Sequence, residues 1–120
     1  MSHKTIGLQE KYLTMMLAGT KIWEGRLNNA HYGSIQIGDR VTFVSPTRKL
    51  DAMINEKREF GSFREMLQDN GVEAFLPGDE KDLDGAVEVY RSFPGYRDGE
   101  EEFGAVAFKI RVVVDSETSK

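Results

Sequence analysis

The sequence of 120 residues contains no cysteine, which excludes disulfide bonds and thiolate metal ligands. Its only histidines are His3 and His31, and they form no HExxH or paired-histidine motif that would indicate zinc. The phosphate-binding loops GxxxxGK[ST] and GxGxxG are missing, as is the GxSxG elbow of serine hydrolases. We therefore expect a protein that uses no metal and no other cofactor.

Long apolar runs are also missing. No stretch is long and uncharged enough to span a bilayer, and the first residues, MSHKTIGLQEKY, lack the apolar segment of a signal peptide. Hydrophobic residues make up 39% of the chain and charged residues 30%, which is usual for a globular protein. These features predict a cytoplasmic protein without membrane contacts, forming one domain over residues 1–120.

Basic residues are outnumbered, with 16 lysines and arginines against 20 acidic residues and a net charge of −4. Domains that grip long nucleic acids usually carry a basic face. Here acidic residues cluster in DNGVEAFLPGDEKDLDGAVE and in DGEEE. The charge pattern argues against binding of a DNA duplex and against tight binding of long RNA. It is compatible with a site for a small nucleoside or a single unstacked base, which needs few phosphate contacts.

The apolar periodicity predicts an irregular series of strands and helices. This order lacks a clean alternation of strand and helix. It favours an α+β fold in which a mixed sheet of five or six strands curls into a small barrel with helices at its rim. Strands are predicted at 4–8, 21–27, 40–44, 50–60 and 103–114, helices at 9–18, 62–71 and 82–92, loops at 28–34 and 93–99, and a polar tail at 115–120.

The segment KIWEGR concentrates three charges in what is otherwise a predicted strand. In an ideal strand, Glu24 and Arg26 lie on one face, while Lys21 lies on the other with Trp23. If the first face points into a barrel, the carboxylate and guanidinium are desolvated together and must be paired or used. If it faces water, the pair is a surface ion pair worth about 0–1 kcal/mol. Spacing alone leaves both interpretations open, and Lys21, directly after a helix end, need not follow strand alternation.

Five segments carry a resemblance to a known family. LAGTKIWEGRL, IGDRVTF, SFREMLQDNGVEAFLPG, AVEVY and EEEFGAVAFKI follow one another between Gly7 and Val112. In this order they resemble the ASCH family of the PUA-like superfamily, and the GxKxxExR core with its following Gly-Asp turn is the most specific part. The resemblance implies a small mixed β-barrel flanked by about three helices. It also implies a cleft on one side of the barrel, which this superfamily associates with RNA or modified nucleobases.

The resemblance further implies an activity. Some bacterial members of this size are amidohydrolases that remove the acyl group from N4-acetylcytidine with a lysine, a threonine and a glutamate. The family lysine corresponds to Lys21, whereas the threonine position is occupied by Glu24, so the expected hydroxyl nucleophile is absent. The family glutamate falls near Asp79 and Glu80. Other members are linked to cleavage of single-stranded RNA, so a ribonuclease or a non-catalytic RNA or base-binding module remains an alternative.

Amide hydrolysis is compatible with Glu24 at the position of the family threonine. Glu24 is predicted to act as a general base on water, and Lys21 either carries a proton or stabilises an oxyanion. Arg26 is assigned to substrate binding. The alternative is that these three residues form a buried charge network that only shapes a binding pocket.

Three further residues are assigned to substrate binding. Tyr90 stacks on a base or packs its helix on the barrel, Ser45 donates a hydrogen bond to a ligand or caps a turn, and Glu80 occupies the region of the family glutamate. Trp23 is interpreted as a core residue. The acidic run 100–102 is interpreted as a solvated run.

Overall fold

The computed structural model describes residues 3–113, and its strands and helices follow one another irregularly. None of the helices in this range is both long and apolar enough to cross a membrane. The elements are β1 (His3–Gly7), α1 (Glu10–Ala18), β2 (Trp23–Leu27), α2 (Ala30–Gly33), β3 (Arg40–Val44), β4 (Lys49–Phe60), α3 (Phe63–Asn70), α4 (Val72–Phe75), α5 (Leu83–Arg91), α6 (Tyr96–Phe103) and β5 (Ala105–Val112).

The five strands form one mixed sheet in the order β1-β3-β4-β5-β2. β1 runs parallel to β3, and the other three pairs are antiparallel. The sheet curls into a half-barrel, which confirms the predicted α+β fold. Within the described residues, β1 and β2 are the two edge strands of this sheet.

β5 lies between β4 and β2 and is buried on both faces. Ala105 and Ala107 belong to a hydrophobic cluster with α3 and α5, because their small side chains allow helices to approach closely. Val106, Phe108 and Ile110 alternate with the alanines and join a second cluster with α1 and β3. β5 therefore holds β2, and with it the KIWEGR segment, between two packed layers.

Residues 3–113 hold six helices instead of three, because α2 and α6 begin in the predicted loops 28–34 and 93–99 and the short α4 follows the predicted helix 62–71. In 28–34, the Asn29 side chain accepts a hydrogen bond from the Tyr32 amide and caps the short α2. In 93–99, one glycine lies at the start of α6 and another lies where α6 packs against β2. Gly95 adopts a φ of 80° before the helix, and a Cβ on Gly99 would lie 2.6 Å from Leu27 Cδ1.

The predicted strands at 21–27 and 103–114 begin later than expected, at Trp23 and Ala105. In each case a tight turn precedes the strand, with Gly19 at a φ of 84° and Gly104 at 74°. The predicted end of the last strand at Val114 and the polar tail 115–120 lie outside the described residues.

Glu100 is buried, so the interpretation of residues 100–102 as a solvated run is wrong at this position. Its side chain is only 7% exposed, and its oxygens accept hydrogen bonds from the Phe63 amide at 2.8 Å and from Arg91 Nε at 2.7 Å. Burial alone raises the pKa of Glu100, but these contacts outweigh it and lower the pKa below its ordinary value. The carboxylate thereby joins α6 to the start of α3 and to the end of α5.

We expect Glu100→Ala to lower the free energy of unfolding by about 1.5–3 kcal/mol, since it leaves a buried amide and a guanidinium without their anionic partner. The exposed neighbour Glu101 provides the control, and Glu101→Ala should change stability by no more than about 0.5 kcal/mol. Urea unfolding measures both. Because the folded-state pKa is lowered, the contribution of Glu100 should be present above the ordinary glutamate pKa and disappear as the pH falls through the folded value. Equal stability of both variants at neutral pH contradicts this assignment.

Candidate functional site

The end of α1 sets the position of Lys21. Gly19 takes the left-handed conformation that terminates the helix, and the amides of Thr20 and Lys21 both donate to the Met15 carbonyl at 3.0 and 3.2 Å. Because β2 starts only at Trp23, Lys21 lies outside the strand and is not bound to its alternation. Its side chain therefore reaches the face that carries the next charged residue of the motif.

Lys21, Glu24 and Arg26 form a buried ionic triad in which the carboxylate lies between two cations. Lys21 Nζ is 3.1 Å from Glu24 Oε1, while Arg26 Nε and Nη2 are 2.7 and 2.5 Å from Glu24 Oε2. The side chains of Lys21, Glu24 and Arg26 are 1%, 8% and 13% exposed. The triad therefore agrees with the interpretation in which this face of the strand points into the barrel. The charges are removed from water and are paired with one another.

The ammonium group of Lys21 has an acceptor for each of its three protons. Besides Glu24, it donates to the carbonyl of Trp23 at 2.6 Å and to the carbonyl of Phe75, at the end of α4, at 2.5 Å. Burial lowers the pKa of Lys21, and the attraction of Glu24 opposes this shift. Since three acceptors match the three protons of an ammonium, we assign the charged form at neutral pH.

Glu24 is held in its ionised form. Burial on its own raises the pKa of Glu24, but the charges of Lys21 and Arg26 outweigh burial and place the pKa below its ordinary value. Oε2 is paired with both Nε and Nη2 of Arg26, whereas Oε1 is paired with Lys21 alone and retains capacity to accept a further hydrogen bond. The site therefore presents a fixed negative charge with acceptor capacity for a ligand or a water molecule.

Arg26 connects the two edge strands of the sheet. Its Nη2 donates to the carbonyl of Gly7, at the end of β1, at 2.9 Å, although Arg26 itself lies on β2. Its Nη1 donates to the Tyr32 hydroxyl at 3.2 Å. Among the described residues, these contacts and those to Glu24 use four of the five N–H groups of the guanidinium, which leaves one on Nη1.

A cleft of about 540 Å³ opens over the triad, between the edges formed by β1 and β2. Its size falls in the range of small-molecule sites. Aromatic side chains supply much of its wall, and planar rings of this kind are suited to contact with a planar heterocycle. The lining comprises Lys21, Glu24, Gly25 and Arg26 together with Tyr12, Tyr32, Tyr90, Phe93, Tyr96 and flanking residues from 7–9, 46, 76 and 94.

The structure places Tyr90 at this cleft but not as a free platform for stacking. The residue is only 3% exposed, and its ring stacks on Phe63 at a centroid distance of 4.8 Å, so Tyr90 packs α5 on α3. Tyr90 nevertheless borders the cleft. Trp23 is 6% exposed and belongs to the hydrophobic cluster, which confirms its interpretation as a core residue.

Ser45 and Glu80 are not among the residues that line the cleft. The Ser45 hydroxyl donates to Glu10 at 2.6 Å and accepts from the Arg48 amide at 3.1 Å, which is the turn-capping role. Glu80 is exposed, with a φ of 53°. Lys21, Glu24, Arg26 and Tyr90 are thus brought together, and Ser45 and Glu80 lie apart from them; the roles assigned to all six remain predictions.

The sequence analysis missed the contributions of Tyr12 and Tyr32. Tyr12 lies in the apolar stripe of α1, yet its hydroxyl donates to Asp79 at 2.7 Å and its ring centroid lies 5.4 Å from Lys21 Nζ. Burial and the neighbouring Asp79 raise the pKa of Tyr12 well above its ordinary value. A signal was available, because a tyrosine in a helix stripe usually carries its hydroxyl to a polar partner. Asp79, not Glu80, is the acidic residue that approaches the triad from this loop.

Comparison with known structures finds this fold in three proteins. The chain is 36% identical to the hypothetical protein PH0355, with a TM-score of 0.84, covering 93% of this chain and all of PH0355. It is 32% identical to PF0455 from Pyrococcus furiosus, with a TM-score of 0.76, covering 93% of this chain and 98% of that one. A mutant of ZmASCH from Zymomonas mobilis matches with a TM-score of 0.56 and 15% identity, covering 90% of this chain and 67% of ZmASCH.

These likenesses show an ASCH-like fold, in agreement with the resemblance of the sequence motifs. The chain belongs to the same family as PH0355 and PF0455. Comparison with protein-family models and with curated proteins gives no match.

We expect Lys21→Ala to lower the free energy of unfolding by about 3–5 kcal/mol, because it removes one partner from a buried ion pair and leaves two buried carbonyls without a donor. Lys109→Ala is the control: Lys109 Nζ lies 3.5 Å from Glu56, its side chain is 39% exposed, and the expected loss is about 0–1 kcal/mol. Urea unfolding distinguishes the two. Lys21→Met retains most of the side-chain volume, and its stability separates the loss of charge from the loss of packing. Similar effects of Lys21→Ala and Lys109→Ala contradict a buried, structurally required ammonium.

Proposed function

We propose that this protein hydrolyses N4-acylated cytosine nucleosides to the free nucleoside and a carboxylate, without a metal ion. The observation that carries the proposal is the buried ionised Glu24, held between two cations beneath an aromatic-walled cleft. The cleft supplies a place for a flat base, and the triad supplies a carboxylate next to positive charge. Both features are what hydrolysis of an amide on a pyrimidine ring requires.

In the proposed reaction, a water molecule hydrogen-bonded to Glu24 attacks the acyl carbon attached to N4. The carboxylate takes one proton from this water as the new C–O bond forms, and the carbonyl oxygen becomes an oxyanion. The bond between the acyl carbon and N4 then breaks with its electron pair on N4, and the protonated Glu24 returns the proton to N4. The products are the cytosine nucleoside and the carboxylic acid, which ionises in water.

The lowered pKa of Glu24 makes it a weak base, and the substrate compensates for this. The amide nitrogen is attached to an electron-poor pyrimidine ring, so the departing amine is much less basic than an alkylamine. A leaving group of this kind needs less assistance than an ordinary peptide bond does. The proposed substrate class thus fits a carboxylate that is ionised throughout the neutral pH range.

The two cations support the reaction in different ways. Lys21 has all three protons engaged, so it acts as a positioning residue that fixes Glu24. Arg26 retains one N–H group on Nη1 and lines the cleft, so it is the cation that contacts the substrate. It stabilises the oxyanion in a site where few water molecules screen the charge.

Glu24→Gln tests the proposal, with N4-acetylcytidine as substrate and release of cytidine followed by chromatography. We expect turnover to fall by about 10²–10⁴-fold, because the variant has no proton acceptor of the same kind. Binding of cytidine, measured by calorimetry, should persist. Glu88→Gln is the control, since Glu88 is exposed and pairs with Arg97 on the surface, and it should leave turnover unchanged.

Glu24→Asp accompanies these variants, because it keeps the negative charge if Glu24→Gln proves unstable. A shorter side chain withdraws the base from the substrate, so turnover should again decrease. Near wild-type turnover in Glu24→Gln contradicts the assignment of Glu24 as the base.

A second candidate function is recognition of a single base without turnover. The engagement of every Lys21 proton and of both Glu24 oxygens favours it, because a triad held this firmly suits a binding site whose charges do not move. Incubation with N4-acetylcytidine decides between the two candidates. Binding without release of cytidine supports the recognition module.

We expect the affinity for a short single-stranded RNA to depend only weakly on salt. Of the residues in 3–113 that line the cleft, Lys21 and Arg26 are the only cations, and both are paired with Glu24. Neutralising about one phosphate gives a slope of roughly −0.7 in a plot of log K against log salt concentration. Fluorescence anisotropy of a labelled oligonucleotide measures it. A slope steeper than about −3, or cleavage of the oligonucleotide, contradicts a single-base site and favours an RNA-binding or ribonuclease function.

A further inference from the structure

The hydrogen bonds between β2 and β5 determine which backbone groups of β2 face the cleft. Beyond the two ends of the paired region, Ile110 donates to the Ile22 carbonyl at 2.9 Å and Asn28 donates to the Gly104 carbonyl at 3.1 Å. Both bonds fit the same antiparallel register, in which Gly25 lies opposite Ala107. In such a pair, alternate residues direct both backbone groups to the partner strand.

It follows that the even-numbered residues of β2 bond to β5, and the odd-numbered residues direct their N–H and C=O groups to the free edge. Two of the odd-numbered residues have partners there. The Trp23 carbonyl accepts from Lys21 Nζ, and the backbone of Leu27 is close enough to the Tyr96 hydroxyl to affect its pKa. Gly25, between them, has no hydrogen-bond partner among residues 3–113, although it is buried and lines the cleft.

Buried backbone groups without partners are rare, and such a pair at the wall of a cleft points to a ligand. We propose that the N–H and C=O of Gly25 form a two-point reader for a flat ligand with an acceptor and a donor side by side. This inference rests on the proposed function for its ligand class, the cytosine base. The N–H of Gly25 donates to ring nitrogen N3, and the C=O of Gly25 accepts from the exocyclic N4–H.

The pairing fits the proposed reaction. N3 and N4 are bonded to the same ring carbon, so they present an acceptor and a donor in parallel, as one residue of a β-strand does. The acyl carbon is attached to N4. Its neighbours in the protein are then Glu24 and Arg26, which flank Gly25 in the chain.

The neighbouring residues limit what else can occupy this edge. An extended peptide that added a strand to β2 would need a run of free backbone groups. Here the Trp23 carbonyl is occupied by Lys21 and the Leu27 backbone lies against Tyr96, so within residues 3–113 Gly25 is the residue of β2 that keeps both of its edge-facing backbone groups free. One donor and one acceptor match a small planar group and not a peptide strand.

Glycine is required at this position for a separate reason. A Cβ on Gly25 would lie 2.5 Å from Met66 Cε and 3.0 Å from the Tyr90 hydroxyl oxygen. The absence of a side chain therefore lets α3 and α5 pack against β2 while its backbone remains open to the cleft.

We test the proposal by titrating the isotope-labelled protein with cytidine and with 3-deazacytidine, in which a C–H group replaces N3. Amide chemical shifts of Gly25 are followed by NMR. With cytidine, the Gly25 amide proton should move downfield, as expected for a new hydrogen bond. With the analogue this shift should be lost, and binding should be weaker by about 10-fold, because the buried N–H is left unpaired.

The control is the amide of Gly104, which donates to the Glu100 carbonyl at 2.9 Å and should not respond to either compound. Absence of cytidine binding overturns the proposal, as does equal affinity for the two compounds. It is also overturned if amides around the cleft respond to cytidine while that of Gly25 does not.

Turnover of N4-acetylcytidine is measured on the same sample. A Gly25 response without turnover supports the reader and refutes hydrolysis. Turnover without a Gly25 response refutes the reader and leaves hydrolysis standing.

Discussion

The carboxylate of Glu24 is the group on which the remaining arrangement depends. Desolvating a carboxylate costs several kcal/mol, and only two adjacent cations with good geometry compensate for it. Lys21 reaches the carboxylate because the turn after α1 delays the start of β2. Arg26 reaches it because it shares a strand face with Glu24 and projects over the same edge. The helix end and the strand start thus bring Lys21 to this one negative charge, and the carbonyl at the end of α4 holds the ammonium group in place by accepting a hydrogen bond from it.

The architecture follows from features that are visible in the sequence. Three features place the main elements correctly: the alternating apolar residues in β5, the glycine after α1, and Ser62, which caps α3 by accepting from the Glu65 amide. The helices α2 and α6 could not be recognised, because their turn formers and acidic residues indicate a loop until tertiary contacts are known. Glu100 illustrates this: its burial depends on Phe63 and Arg91, which are distant in sequence.

The same limit applies to the site. The grouping of Glu24 with Arg26 could be expected from strand alternation, and the proximity of Lys21 only from its place after a helix end. The positions of Ser45 and Glu80 outside the cleft depend on turn geometry that spacing does not reveal. Nor does spacing show that Tyr12 brings Asp79 to the triad, since three strands and three further helices separate these two residues in the chain. No side-chain pattern in the sequence indicates that the backbone groups of Gly25 are free.

The hydrogen bond from Arg26 to the Gly7 carbonyl links ligand binding to the stability of the fold. Within residues 3–113, the edge strands β1 and β2 are not paired with each other, which leaves the cleft open between them, and the Arg26 guanidinium joins the two strands at this edge. A ligand that draws Arg26 toward itself competes with the contact that joins β1 to β2. Ligand affinity and the stability of the contact between β1 and β2 therefore depend on the same side chain. Variants selected for higher thermal stability at this contact should lose affinity for the ligand.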